Sequence, residues 1–113
     1  MPQNYVPEEG DIIWINFNPQ SGHEQAGHRP ALVLSPSSYN KATSLLVSCP
    51  MTTQIKGYPF EVKISGNPEN VALSDQVKSL DWVARSATKK GQAKSEELEE
   101  VRQKIAALLK IST

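Results

Sequence analysis

Apolar residues in this chain come in short runs cut by proline, glycine and polar turns, and that punctuation constrains the fold more than any other feature. Ile12–Ile15 and Ala31–Leu34 are four residues long, whereas a membrane-crossing helix needs about 20. Runs of this length suit strands. Asp11–Phe17 is rich in β-branched and aromatic residues and is bounded by Gly10 and by Asn18-Pro19. Ala31–Ser35, stopped by Pro36, and Leu45–Cys49 read the same way. In Phe60–Ile64 the apolar residues alternate with Glu61 and Lys63, the period of a half-buried strand. Val71–Leu73 and a segment near Ser86–Lys90 complete the sheet. Gln20–His28, with Gly22 and Gly27, and Thr53–Pro59, with Gly57, read as loops, and Ser65–Pro68 as a turn. Ser37–Thr43 is a turn or short helix, and a further helical turn is expected around Ser79–Val83.

One long helical pattern stands at the end. Ser95 is placed as an N-cap before Glu96, Glu97, Glu99 and Glu100, acids that complement the positive end of a helix dipole. Leu98, Val101, Ile105, Leu108 and Leu109 recur at helical spacing and form one apolar stripe, expected to pack on the sheet. The 113 residues make one domain, 1–113, with no internal repeat. Short strands with one terminal helix predict a mostly β (α+β) fold, a small antiparallel β-barrel.

Charge is unevenly spread. Lys plus Arg and Asp plus Glu both number 12, which argues against a polybasic binder held by bulk charge. The neutral total hides a basic middle, however, because residues 29–94 hold nine bases and four acids. The single cysteine, Cys49, cannot form an internal disulfide and fits a reducing compartment, so a cytoplasmic protein is expected. Its apolar surroundings suit a buried thiol better than a nucleophile. The first residues show neither a basic nor an apolar signal-peptide region. Two histidines and one cysteine offer no zinc-ligand spacing, and no membrane association is expected.

Four segments carry a specific pattern: Gly10–Trp14; Gly22–Ser35, with Glu24-Gln25-Ala26-Gly27-His28-Arg29-Pro30 inside it; Cys49–Gln54; and Leu73–Asp81, with Asp75-Gln76-Val77-Lys78. Together they resemble the MazF/PemK family of endoribonuclease toxins of type II toxin–antitoxin modules, from about Tyr5 to the terminal helix. The resemblance implies a homodimer of small SH3-like barrels of the MazF/CcdB toxin type. It implies cleavage of single-stranded mRNA at a short ACA-like site, independent of ribosome, metal ion or other cofactor, leaving a 2′,3′-cyclic phosphate and a 5′-hydroxyl and so halting translation and growth. A MazE-like antitoxin, with an extended acidic tail, is the implied partner.

The chemistry of the residues suits that reaction. When a ribose 2′-OH attacks the adjacent phosphorus, a site must accept one proton, stabilise charge on the non-bridging oxygens and donate a proton to the leaving oxygen. Arg29, a poor base, offers the fixed fork of donors that fits a phosphate and is also a candidate acid, and Thr52 adds a hydroxyl; both align with the family's catalytic positions. Glu24 and His28 are the candidates for moving the proton. His28 reads equally as a loop histidine, and the alternative role for Glu24 is to orient Arg29 by an ion pair. For RNA binding, Phe17 is expected to stack on bases and Trp14 to lie partly in the core. Asp75 and Gln76 match family positions that read base edges, Lys56 and Lys78 suit phosphates, and Asn40 is a further groove candidate. Tyr58 is expected to pack with Pro59 and Phe60. Two other classes compete: a DNA gyrase-poisoning toxin of the CcdB type, and an SH3-like adaptor for Pro-rich peptides.

Overall fold

The structure, a computed structural model, describes residues 4–112 except 20, 21, 24 and 26. Seven strands and two helices follow in the order β1 (Asp11–Asn16), β2 (His28–Val33), α1 (Ser37–Thr43), β3 (Leu45–Thr52), β4 (Glu61–Ile64), β5 (Asn70–Leu73), β6 (Lys78–Asp81), β7 (Thr88–Gln92) and α2 (Ser95–Leu109). Every pairing is antiparallel. The spatial order is β4-β5-β3-β2-β1-β7, with β6 also on β3. The strand punctuation predicts a mostly β, antiparallel fold with a C-terminal helix, and this forms, as a half-barrel sheet.

The eight-residue β3 organises the sheet. One edge pairs with β2, Ala31 opposite Pro50 and Val33 opposite Ser48. The other edge pairs first with β6, Leu46 opposite Leu80, and then with β5, Thr52 opposite Val71. β1 and β2 are apolar on successive residues because both of their faces are covered. Ile12, Leu32, Cys49, Met51 and Val62 face α2 and meet Leu98 and Val101. Ile13, Ile15, Phe17, Ala31 and Leu46 form a second cluster on the opposite face, closed by Tyr5 and Trp82.

Three expectations need correction. Ser79–Val83 is not a helical turn: Lys78–Asp81 pairs with β3 and buries Leu80, so the ladder overrides the local tendency. Ser95 is the first helical residue, not the cap; Lys94 caps, and its N–H donates to the Glu97 carboxylate at 2.9 Å. The same carboxylate accepts the Ser65 N–H and hydroxyl, at 2.7 and 2.6 Å, tying the 65–68 turn to the helix start. Finally, the apolar stripe of α2 is buried only in part. Leu98 and Val101 are in the core and Ile105 packs against it, but Leu108 and Leu109 are 46% and 61% exposed. α2 rests on β4. Its core contacts come from its first three turns, through Leu98, Val101 and Ile105.

Candidate functional site

Strand register, rather than loop geometry, brings the two central polar residues together. Arg29 stands two residues before Ala31, and Thr52 two residues after its partner Pro50, so both lie at the same end of the paired strands. Both line a cleft of about 440 Å³. An Arg29 Nη1 donates to the Met51 carbonyl at 3.5 Å. Thr52, 9% exposed, accepts the Gln54 N–H on its hydroxyl oxygen at 3.1 Å, which leaves its proton available for donation.

The far wall of this cleft is aromatic and cationic. Ile13, Ile15 and Phe17 fill the core behind β1, so Trp14 faces the other way and is half-buried. Asn16 pairs with His28, making Trp14 and His28 diagonal neighbours. Their rings stack with centroids 5.6 Å apart and planes 8° from parallel. A β-bulge completes the wall. Register shifts between Ile12–Gly91 and Ile13–Lys89, leaving Lys90 without an opposite residue. Its ammonium lies 5.4 Å from the Trp14 ring centroid, within cation–π range. Sequence reasoning counted Lys90 only among the basic middle; a bulge of this kind has no clear signal in Thr88–Gln92.

A second cleft, about 210 Å³, lies beside the first across the end of β3 and is lined by Phe17, Gln25, Pro50, Asp75, Gln76 and Lys78, among others. The Gln25 N–H, in the β1–β2 loop, donates to Gln76 Oε1 at 3.1 Å. The Tyr58 hydroxyl donates to Asp75 Oδ1 at 2.7 Å. Burial, together with Asp75, holds the Tyr58 hydroxyl well above the usual tyrosine value, so it remains a donor. The expectation that Tyr58 merely packs is therefore incomplete: its ring does sit 6.4 Å from that of Phe60, but its hydroxyl is committed to Asp75.

The remaining candidates divide. Arg29, Thr52, His28 and Trp14 meet in the larger cleft, and Asp75, Gln76 and Lys78 in the smaller. Phe17 is 1% exposed and forms the floor of the smaller cleft, so it presents no free ring face for stacking; its place on the inward side of β1 is the reason. Asn40 is not a groove residue. It is fully buried, donating to the Pro7 and Ser35 carbonyls at 2.8 and 3.0 Å and accepting the Ser35 hydroxyl at 2.6 Å. Lys56 is exposed on the 53–59 loop and lines neither cleft. Glu24 lies outside the described residues. Cys49 is a buried free thiol, pushed up to about 12 by desolvation and by the negative charge of Asp75. Among the described residues, no group of three or more His, Cys, Asp or Glu is arranged to hold a metal ion, and no helix is long and apolar enough to cross a membrane.

This architecture has well-defined relatives. The family described as PemK-like, MazF-like toxin of type II toxin–antitoxin system matches residues 8–109. The chain belongs to that family. It is 56% identical over 110 residues to the endoribonuclease toxin MazF of Escherichia coli K12, covering 96% of this chain and 99% of that one. It superposes on the crystal structure of MazF from Deinococcus radiodurans with a TM-score of 0.90 at 49% identity, covering 95% of this chain and 99% of that one. The MazE–MazF complex from the same organism matches with a TM-score of 0.86 at 49% identity, over 96% of this chain and the whole of that one. The toxin's half-barrel, with its C-terminal helix, is therefore the fold of this family.

Proposed function

We propose that this toxin cuts single-stranded mRNA at a short ACA-like sequence, without a metal ion or the ribosome, and thereby halts translation and growth. The chain is an endoribonuclease, the activity carried in the name of a relative 56% identical over nearly its whole length. The observation that carries the finer reading is the single cleft that Arg29 and Thr52 line together at one end of the β2–β3 pair. In this reading the 2′-OH attacks the adjacent phosphorus, the bond to the 5′-oxygen breaks, and a 2′,3′-cyclic phosphate and a 5′-hydroxyl result. The Arg29 guanidinium stabilises the charge that grows on the non-bridging oxygens, and the Thr52 hydroxyl donates to the same phosphate. His28 and Glu24 are the two carriers for the proton of the 2′-OH, and Arg29 is also the candidate acid that protonates the leaving 5′-oxygen. A base stacks on the Trp14–His28 pair, Lys90 and Lys78 neutralise neighbouring phosphates, and Asp75 and Gln76 read a base edge in the smaller cleft. Lys56 meets the chain outside the clefts.

The working unit in this reading is a cytoplasmic homodimer, held inactive by a MazE-like antitoxin; a MazE–MazF complex among the matching structures supports that partner. A CcdB-type gyrase poison does not need a guanidinium and a hydroxyl brought together in a cleft, and the relatives matched are endoribonucleases. The test is cleavage of an end-labelled RNA containing ACA in the presence of EDTA. Wild type is expected to release cyclic-phosphate ends, and a folded Arg29→Ala variant to cut at least about 100-fold more slowly. Full activity of that variant, or dependence on added metal, would overturn the mechanism.

A further inference from the structure

The loop that follows Thr52 is joined to the loop that carries Asp75 by the Ser74 bonds to the Phe60 carbonyl and, side chain to side chain, by the bond from Tyr58 to Asp75. We infer that Tyr58 is a positioning residue for base selection: its hydroxyl holds the Asp75 carboxylate so that the second oxygen accepts from an amino-bearing base edge in the smaller cleft. The inference rests on the reading of Asp75 as a base-reading residue.

Tyr58 is itself held firmly. Glu61 accepts the N–H groups of Lys56 and Gly57 at 2.9 and 2.7 Å, and its own N–H donates to the Tyr58 carbonyl at 3.1 Å. Gly57 has φ +83°, a left-handed conformation that glycine adopts without strain and that turns the chain here. On the other side, the Ser74 N–H and hydroxyl both donate to the Phe60 carbonyl, at 3.0 and 2.6 Å, and the Gln76 N–H donates to the Leu73 carbonyl at 3.0 Å. Both partners of the Tyr58–Asp75 bond therefore stand on turns with their own backbone restraints.

Asp75 is exposed, and among the described residues its one hydrogen bond is that to Tyr58. An exposed carboxylate turns freely about its side-chain torsions unless one oxygen is fixed. An ionised carboxylate is only an acceptor, so an oriented one favours a base edge that offers an amino group and opposes one that offers only a carbonyl there. Without the tyrosine hydroxyl the charge remains but its direction is lost, so selectivity suffers rather than bond cleavage.

The experiment uses the full-length toxin on a random-sequence single-stranded RNA pool, with cut sites read by sequencing the new 5′-hydroxyl ends. Tyr58→Phe is expected to relax the preference for an amino-bearing base at one position by about tenfold, with preferences at the other positions retained. Asp75→Ala is expected to relax the same position, and the double variant to match Asp75→Ala alone. A uniform loss at all sites would make Tyr58 structural only and overturn the inference, as would an unchanged Tyr58→Phe profile or relaxation at a position that Asp75→Ala leaves intact. Failure of the wild type to cut any member of the pool would overturn the functional reading itself, and the inference with it.

Discussion

Asn40→Ala separates the two roles that sequence and structure assign to that residue. In the structure its side chain makes three hydrogen bonds, to the Pro7 and Ser35 carbonyls and from the Ser35 hydroxyl, at 2.6–3.0 Å, and none of it reaches solvent. A net hydrogen bond contributes about 1 kcal/mol, and removing a buried partner also strands the groups left behind. The Ser35 hydroxyl still accepts the Val47 N–H, but the Pro7 carbonyl loses this donor in a buried setting. The loss is therefore about 3 kcal/mol, a large fraction of the stability of a domain this size. Urea unfolding followed by tryptophan fluorescence is expected to show the midpoint falling by about 1.5–2 M, and a thermal melt a Tm lower by about 10 °C. Cleavage by the fraction still folded at low temperature is expected to match wild type. A variant with an unchanged midpoint but weakened RNA cleavage would refute the burial argument and restore Asn40 to the groove.

Two further outcomes are expected. Phe17→Ala removes a ring from the core and is expected to destabilise by about 3–5 kcal/mol, whereas Trp14→Ala leaves the fold largely intact and weakens RNA binding by about 1–3 kcal/mol; equilibrium unfolding and RNA titrations distinguish them, and the reverse pattern would contradict the burial of Phe17. At Glu97, desolvation pushes the carboxyl up, but hydrogen bonds from the Ser65 hydroxyl and the Lys94 and Ser65 amides, with the Lys94 charge, outweigh it and hold the group below its ordinary 4.5. Because the folded value lies below the unfolded one, this stabilisation is present above about pH 4.5 and is lost as pH falls through the folded value. Glu97→Gln is expected to flatten that part of the stability–pH curve measured by urea unfolding, and an unchanged acid limb would count against the link between the 65–68 turn and α2.

What the sequence made legible follows from periodicity and from distinctive local patterns. The alternation in Phe60–Ile64, the apolar runs of β1 and β2 and the helical repeat of α2 all mark elements that exist. Arg29 and Thr52 were visible because they sit in distinctive segments. Trp14 is half-buried, as expected, but Phe17 is covered and not free to stack: a fully apolar strand buries both faces, and only the position of the neighbouring layers decides how far each aromatic is covered. Asn40 looked available because polarity was read as exposure, whereas its amide is consumed by Pro7, 33 residues away in the chain. Lys90 depends on a bulge and Tyr58 on a contact between loops 17 residues apart, and neither leaves a periodic trace.

The β2–β3 ladder has a consequence for how such toxins can diverge. The proposed reacting pair stands on two strands that are paired just beyond it, so its geometry is inherited with the sheet and needs no substrate to assemble it. The loops at residues 53–59 and 74–77, the second of which carries the proposed base-reading residues, lie outside the strands of that sheet. They can be exchanged between relatives as cassettes, giving enzymes that cut different words with the same blade. A one-residue insertion within Arg29–Leu32 acts in the opposite sense: by shifting the strand it is expected to turn Arg29 to the other face and to silence cleavage, while the 53–59 and 74–77 loops remain in place.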